Sequence, residues 1–318
     1  MKVALFGGTG FVGSYIVDEL ISRNHKPRLM VRPGSEEKVS EHLKCEMVIG
    51  NIHDNTSIRK TLQDCNVAIY LIAVIREIPK KGITNELLQF RGAERVANIA
   101  TEVGVKRFLL MSALGTGYQS GVSKYFAAKH LAEQAVKNTK LDWTILRPSS
   151  IFGDPRSFGR PEFCTMLKKD MLNLVPFPSF LPFPAPSFFT GLNPFDAGNF
   201  SLSMIHVKDV AKLFIDVMED KNTIRETYEL GGIEEVSWNR IIKSIASISR
   251  KKIIMMPVPF FAVWLSALLL DRFSWFPASR DQLQDLVSGN TCDSSKIFKK
   301  YGIEPIPFNI ENLNYLAQ

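Results

Sequence analysis

The sequence contains few cysteines, and their spacing excludes the common structural uses of this residue. Only four cysteines occur among 318 residues, and none of them forms a Cys-x-x-Cys pair. This spacing argues against a zinc site and against a disulfide framework, so no metal site is predicted. We interpret the cysteines as small core residues of a protein that stays in a reducing compartment.

Long apolar runs are also missing. The most apolar stretch, Phe260–Leu270, is shorter than the roughly 20 residues that a membrane-spanning helix needs. It fits either a buried core helix or a helix lying in a membrane interface, and the pattern leaves both interpretations open. Because Met1–Phe6 lead directly into glycines, we expect no signal or transit peptide and a cytoplasmic protein.

Concentrated positive charge is missing too, although the chain is basic overall. The formal net charge is +7, which favours phosphates or an anionic membrane surface as partners. The lysines and arginines lie in short scattered runs, such as Arg250–Lys252, whereas a nucleic-acid face shows denser clusters. Nucleic acid is therefore not expected as a partner. The hydrophobic fraction of 45% is sufficient to build the core of about two domains.

Short apolar runs alternate with helical patterns over about the first 150 residues. The predicted strands are Val3–Phe6, Arg28–Val31, Glu46–Ile49, Val67–Ile72, Phe108–Met111 and Trp143–Leu146. The predicted helices include Val12–Arg23, Asn85–Val103 and Ser123–Lys137. This alternation is typical of βαβ units, whose parallel strands are covered by helices on both faces. We therefore predict an α/β fold with a doubly wound Rossmann sheet in residues 1–153.

The remaining residues, 154–318, are predicted to form a smaller and less regular region for substrate or partner. Val175–Phe195 is dense in proline and phenylalanine, which predicts an irregular loop that needs a covering core, ligand or membrane. A strand at 204–208 and its following helix are expected to return to the Rossmann core. Tyr228–Gly232 predicts a short strand and turn, and Ser237–Ser249 has the pattern of an amphipathic helix.

Three glycines follow the first strand with the spacing of a dinucleotide-binding loop. Gly7 permits the tight turn, Gly10 lets the backbone approach a pyrophosphate, and Gly13 lets the helix pack closely on the sheet. The pyrophosphate is then expected at the helix amino end, where free N–H groups favour anions. The strand and helix around the loop favour this interpretation over an ordinary turn. The loop residues predicted to bind the cofactor are Gly7, Thr9, Gly10, Phe11, Val12 and Gly13.

The ends of the following strands supply further predicted cofactor contacts. The second strand ends in Arg32 without an acidic residue, so a 2′-phosphate can pair with Arg32 and accept a hydrogen bond from Ser35. The alternative for Arg32 is a solvated surface arginine. We predict NADP (NADPH) as the preferred cofactor, with NAD as the alternative. The other residues assigned to the cofactor site are Asn51, Ile52, Ile72 and Ala73.

Tyr125 and Lys129 are four residues apart in a predicted helix, so both side chains can point towards one ligand. A tyrosine hydroxyl can act as general acid or base at a carbonyl, and a nearby ammonium group lowers its pKa and can hold the nicotinamide ribose. The alternative is a pair on a helix surface. Ser112, after the fifth strand, is the candidate for orienting the carbonyl.

Together these motifs resemble an atypical, extended short-chain dehydrogenase/reductase. More narrowly, the chain is similar to the family of the NDUFA-nine-type accessory subunit of respiratory complex I and its bacterial relatives. The resemblance covers most of the chain and is strongest before residue 155. The stretches that carry it are Gly7–Gly13, Leu71–Glu77, Gly104–Phe108, Met111–Gly115, Tyr125–Lys129, Leu146–Gly153 and Ser279–Leu283.

The resemblance implies a bound dinucleotide and leaves two functions open. Active relatives have a serine or threonine after the fifth strand and a helper asparagine in the helix after the fourth strand. Here Ser112 is available, although Ala113 is the other aligning position, and the stretch Leu88–Gly92 contains no asparagine. The predicted function is that of an NADPH-dependent oxidoreductase or epimerase acting on an apolar quinone, isoprenoid or lipid. The alternative is a non-catalytic accessory or assembly subunit of a respiratory complex, peripheral on the inner membrane and on its matrix side in a eukaryote.

Overall fold

The computed structural model describes residues 1–39, 42–74, 76–117, 123–156, 159–172, 181–270 and 290–317. The chain divides into two compact units, one formed by residues 1–148 and 207–230, and the other by residues 149–206 and 231–318. The first boundary between the units therefore lies after residue 148, a few residues before residue 153, the domain boundary given in the sequence analysis. The strand near residue 205 lies in the second unit, whereas the helix that follows it lies in the first.

The regular elements are numbered here in chain order. The strands are β1 Lys2–Phe6, β2 Lys26–Val31, β3 Glu46–Ile49, β4 Val67–Tyr70, β5 Arg107–Met111, β6 Asp142–Pro148, β7 Ile151–Phe152, β8 Phe183–Phe189, β9 Ser201–Leu202, β10 Ile205–His206, β11 Glu226–Leu230, β12 Val236–Ser237 and β13 Ile253–Pro259. The helices are α1 Phe11–Ser22, α2 Asn55–Leu62, α3 Arg91–Glu102, α4 Lys124–Lys137, α5 Phe163–Leu167, α6 Val207–Glu219, α7 Trp238–Ile248, α8 Phe260–Leu270 and α9 Ser295–Tyr301.

The first unit is built on a seven-stranded sheet in the order β3-β2-β1-β4-β5-β6-β11, with every pair parallel. This confirms the predicted α/β fold with a doubly wound sheet. Residues Val3–Phe6 of β1 are fully buried, as expected for a strand covered by helices on both faces. The strand order reverses between β1 and β4, and ligands of such sheets bind beyond the carboxyl ends of the strands at this point.

Most boundaries in the first unit lie within two residues of the predicted ones, and the differences have local causes. The helix predicted from Asn85 opens with a π-helical turn, Glu86–Phe90, before α3 begins. The hydroxyl of Tyr70 donates a hydrogen bond to the carbonyl of Leu88 in this turn. The strand and turn predicted near Tyr228 form β11, which pairs with β6 as the seventh strand of the sheet.

In the second unit, the irregular loop predicted over residues 175–195 is wrong for part of its length. Residues Phe183–Phe189 form β8, which pairs in parallel with β13. The two prolines of β8 are tolerated because the strand has one partner among the described residues and needs no backbone donors on its other side. The buried indole of Trp238 donates a hydrogen bond to the carbonyl of Pro186 at 3.0 Å and so fixes the strand. Residues 175–180 and the stretch Ser279–Leu283 lie outside the described residues.

Helix α8 begins at Phe260, the residue where the predicted apolar stretch begins. Three of its large apolar side chains are exposed, with Phe261 at 70%, Leu265 at 50% and Trp264 at 37% of their full accessible surface. Ile254 and Met256 of the preceding strand β13 are also exposed. Within the parts of the chain that the structure describes, no helix combines the length and hydropathy needed to cross a bilayer.

Candidate dinucleotide site

The glycine loop joins β1 to α1, and its geometry requires glycine at two positions. Gly7 has a φ of +99°, a conformation that side chains rarely adopt. A Cβ atom on Gly13 would lie 2.2 Å from the carbonyl oxygen of Gly7 and 2.8 Å from the Cα of Gly8. The first turn of α1 therefore packs against the loop more closely than any other residue type allows.

The amino end of α1 is open to an anion. Its N-cap is Gly10, so no side chain caps the helix, and the first turn contains no acidic residue. The first N–H groups of a helix have no partner within the helix, and they carry the positive end of its dipole. Phe11 and Val12 are both 8% exposed, so their side chains offer little surface to a ligand. This end of α1 fits a pyrophosphate group.

Arg32 lies at the carboxyl end of β2, next to β1 in the sheet. Its side chain is exposed and makes no hydrogen bond or ion pair with the rest of the described chain. The backbone N–H of Ser35 donates to the carbonyl of Arg32 at 3.0 Å, and Gly34 between them has a φ of +77°. This turn leaves the guanidinium group available for a phosphate.

The remaining predicted cofactor residues follow β3 and β4. Asn51 is exposed, and its side-chain oxygen accepts a hydrogen bond from the backbone of His53 at 3.1 Å. Ile52 is only 5% exposed and belongs to the core, so its side chain is not available to a ligand. After β4, Ile72 is half-buried and Ala73 is exposed. The backbone of Ile72 lies 3.3 Å from the position of a Cβ atom on Gly7, so β1 and β4 end side by side.

Helix α4 carries the tyrosine-lysine pair, and Ser123 caps its amino end by accepting a hydrogen bond from the backbone of Phe126. The ammonium group of Lys129 lies 5.8 Å from the ring centroid of Tyr125, so the two side chains occupy one helix face. The same ammonium group donates a hydrogen bond to the carbonyl of Met111, the last residue of β5, at 2.8 Å. The pair is thereby held at the carboxyl edge of the sheet.

Lys129 is a buried cation, with 2% of its surface exposed. Burial lowers the pKa of Lys129 to about 8, and the carboxylate of Glu133 opposes this shift. The lysine is thus mostly protonated at neutral pH and loses its proton in mildly alkaline solution. A cation at this place lowers the pKa of a neighbouring tyrosine hydroxyl and attracts ribose oxygens.

Ser112 follows β5, and its backbone N–H donates to the carbonyl of Leu146 at 2.7 Å. Its side-chain hydroxyl bonds to that of Thr116 at 3.2 Å, and both residues are almost fully buried. The structure therefore brings Ser112 next to Met111 and Lys129. Its hydroxyl forms this hydrogen bond within the loop that follows β5.

Gln89 is a residue that the sequence analysis passed over. It lies in the π-helical turn, which packs against α4, and it is 1% exposed. Its amide nitrogen donates to the side chain of Asn85, whereas its oxygen has no hydrogen-bond partner among the described residues. The π-helical turns of proteins occur frequently at functional sites. In the sequence, Leu88–Gly92 shows no asparagine, and the glutamine that supplies a side-chain amide there does not match the pattern of active relatives.

The first half of the chain matches a family model. Residues 7–162 match the model described as NAD(P)H-binding. This range contains the glycine loop, Arg32 and the tyrosine-lysine pair.

Among the described residues, no group of three or more histidine, cysteine, aspartate or glutamate side chains is placed to hold a metal ion.

Curated relatives match over nearly the whole chain. The 40 kDa subunit of mitochondrial NADH-ubiquinone oxidoreductase from Neurospora crassa is 26% identical over 98% of this chain and 77% of its own. The mitochondrial subunit 9 of the NADH dehydrogenase (ubiquinone) 1 alpha subcomplex from Mus musculus is 25% identical over 99% of this chain and 79% of its own. The chain is a relative of these subunits of respiratory NADH dehydrogenase complexes. This confirms the resemblance stated from the motifs.

Other similarities are shorter or concern the fold. A ceramide reductase from Caulobacter vibrioides is 30% identical over 48% of this chain and 46% of its own. The crystal structure of gox2253 has a TM-score of 0.76 at 21% identity and covers 99% of this chain and 96% of its own. A UDP-glucose 4-epimerase of Thermus thermophilus, in complex with NAD, has a TM-score of 0.71 at 16% identity, with 100% and 98% covered. The two solved structures therefore share the fold of this chain.

Proposed function

We propose that this protein holds NADPH as an accessory or assembly subunit of a respiratory membrane complex. The observation that carries nucleotide binding is the uncapped amino end of α1 behind the close-packed glycine loop. The relatives that match almost the whole chain are subunits of NADH dehydrogenase complexes, which supports the accessory role. NADPH is proposed over NADH because Arg32 is exposed where an acidic residue would bind the ribose 2′-hydroxyl.

Retention without turnover is proposed because the catalytic set of active relatives is incomplete in this chain. The hydroxyl of Ser112, the candidate for orienting a carbonyl, bonds to the hydroxyl of Thr116 within the loop. In the stretch where relatives have the helper asparagine, the buried amide is that of Gln89. Lys129 remains in place to hold the nicotinamide ribose.

A second candidate function is an NADPH-dependent reductase or epimerase acting on an apolar substrate. The pairing of Tyr125 with the buried ammonium group of Lys129 favours it, as does the similarity of the first half of the chain to a ceramide reductase. Bound NADPH would supply a hydride. Tyr125 would provide the proton at the substrate oxygen, and Lys129 would stabilise the tyrosinate that remains.

One experiment separates the two functions. The protein is purified, its nucleotide is released and identified by mass spectrometry, and the loaded protein is incubated with quinones and lipid ketones. We expect NADPH to be released intact after the incubation. The reductase would be established instead if NADPH is oxidised during the incubation. In that case Tyr125→Phe should abolish the oxidation, and the control Tyr301→Phe should preserve it. A native protein that binds neither NADPH nor NADH would contradict both proposals.

The membrane side of the proposal rests on the second unit. We propose that α8 and β13 lie against an anionic bilayer surface, because their large apolar side chains are exposed beside Arg250–Lys252. Apolar side chains flanked by basic residues are typical of interfacial segments. This placement fits a protein peripheral to the inner membrane, on the matrix side in a eukaryote.

A further inference from the structure

Helix α4 carries a carboxylate, Glu133, one helical turn after Lys129, and this carboxylate is paired with an arginine. Glu133 is fully buried, and its two carboxylate oxygens accept hydrogen bonds from the Nε and Nη2 atoms of Arg147 at 2.8 and 2.7 Å. Lys137 approaches the same carboxylate at 3.6 Å. Arg147 lies on β6 and also reaches Glu229 on the neighbouring strand β11, at 3.4 Å.

Such a pair is not explained by stability alone. Two charges that are removed from water lose hydration, and apolar residues of similar volume often stabilise a fold equally well. The position of Glu133 in α4 gives the pair a second role. It follows Lys129 by four residues, one helical turn, so both side chains lie on the same helix face.

We propose that Glu133, held by Arg147, is a positioning residue that keeps the ammonium group of Lys129 charged at the nucleotide site. The inference rests on the proposed binding of the nicotinamide ribose to Lys129. Without an adjacent anion, a lysine that is 2% exposed would lose its proton at lower pH, because burial disfavours the charged form. Glu133 counteracts that loss.

On α4 itself the other titratable neighbour of Lys129 is His130, whose buried Nδ1 atom has no hydrogen-bond partner among the described residues. Charged groups on the neighbouring elements have partners of their own. On β5, Arg107 bonds to the carbonyls of Asp142 and Val217. On the helical segment 86–102, Arg91 pairs with Glu86 and Glu94, Arg95 bonds to the carbonyl of Ile52, and Glu102 pairs with Arg59 on α2. The anion that acts on Lys129 is Glu133.

The first test does not need the nucleotide. The titration of Lys129 is followed by NMR of isotope-labelled lysine in the nucleotide-free protein, with Lys129→Arg to assign the signal. We expect a midpoint near pH 8 in the native protein, and a midpoint lower by about one pH unit or more in Glu133→Gln. The matched control is Glu229→Gln, which removes the exposed partner of Arg147 and should leave the midpoint unchanged.

A double variant separates charge from structure. Glu133→Gln alone leaves the half-buried Arg147 without its main partner, so this variant is expected to unfold more easily. In Glu133→Gln combined with Arg147→Met, the unpaired cation is gone and the thermal stability should recover. The low midpoint of Lys129 should persist in this double variant, since the carboxylate is still absent. Recovery of the native midpoint together with the stability would overturn the proposal, as would an unchanged midpoint in Glu133→Gln.

The second test measures NADPH affinity against pH. Affinity of the native protein should fall as pH rises through the Lys129 midpoint, because the ribose contact is lost with the proton. In Glu133→Gln the fall should begin at lower pH, which makes binding about fivefold weaker than native at pH 8 for a shift of about one unit. If the native protein binds no NADPH at any pH, the proposed function fails, while the NMR titration still decides the role of Glu133.

Discussion

Arg32 stands exposed at the end of β2, and we expect this one side chain to set the preference between the two nucleotides. A charge-assisted contact to a 2′-phosphate contributes about 1.5–3 kcal/mol, which corresponds to roughly ten- to a hundredfold in affinity. Arg32→Asp should therefore weaken NADPH binding by that factor and favour NADH, as measured by fluorescence titration. Lys60→Asp, the same charge change in the last turn of α2, is the control. Equal native affinities for NADPH and NADH would contradict this prediction.

The burial of Lys129 also predicts how the stability of the protein depends on pH. Its pKa is about 8 in the folded chain and near 10.5 when exposed, so the unfolded state binds more protons between these values. The free energy of unfolding of the native protein should therefore increase, relative to that of Lys129→Met, as pH rises from 8 towards 10.5. The expected increase is up to about 3 kcal/mol. Urea unfolding of both proteins at several pH values measures the difference. A difference that is independent of pH would mean that the lysine is not desolvated.

At the scale of elements, the contact between the glycine loop and α1 predicts the effect of one methyl group. In Gly13→Ala the new Cβ would meet the carbonyl oxygen of Gly7 at 2.2 Å, so the helix must move away from the loop. Overpacking of this kind costs about 1–3 kcal/mol, and the displaced helix end should no longer bind NADPH. Chemical denaturation and nucleotide titration measure both effects. Gly191→Ala, where nothing lies within 4 Å of the Cβ position, should behave as the native protein does.

The elements also differ in how far the sequence predicts them. The strands of the central sheet were predicted closely because continuous apolar runs such as Val3–Phe6 are their local signal. Strand β8 was not predicted because its partner, β13, lies about seventy residues later in the chain. In addition, the prolines of β8 are typical of a loop. In the site, the glycine spacing and the Tyr125–Lys129 pair are local patterns and were found. The Glu133–Arg147 contact joins a helix to a strand, and no local pattern indicates it.

At the scale of the whole molecule, the exposed apolar surface of α8 and β13 predicts membrane binding. Vesicles that contain phosphatidylglycerol should carry the protein in flotation, and the bound fraction should fall as salt screens Arg250–Lys252. Replacing Phe261 and Leu265 with glutamate should abolish binding, whereas Leu43→Glu, an exposed leucine of the first unit, should not. If the protein does not float with the vesicles at low salt, this surface is not a membrane contact.

The order of the strands has a further consequence, during synthesis of the chain. The strand β6 ends at Pro148, but its outer neighbour β11 begins at Glu226, after about eighty intervening residues. A ribosome adding roughly 5–20 residues per second needs on the order of 4–16 s to make that segment. Throughout this interval the outer edge of β6 has no partner strand, and open edges are where nascent chains associate. A chaperone that covers this edge until residue 230 has left the ribosome would protect the nascent chain from aggregation during this interval.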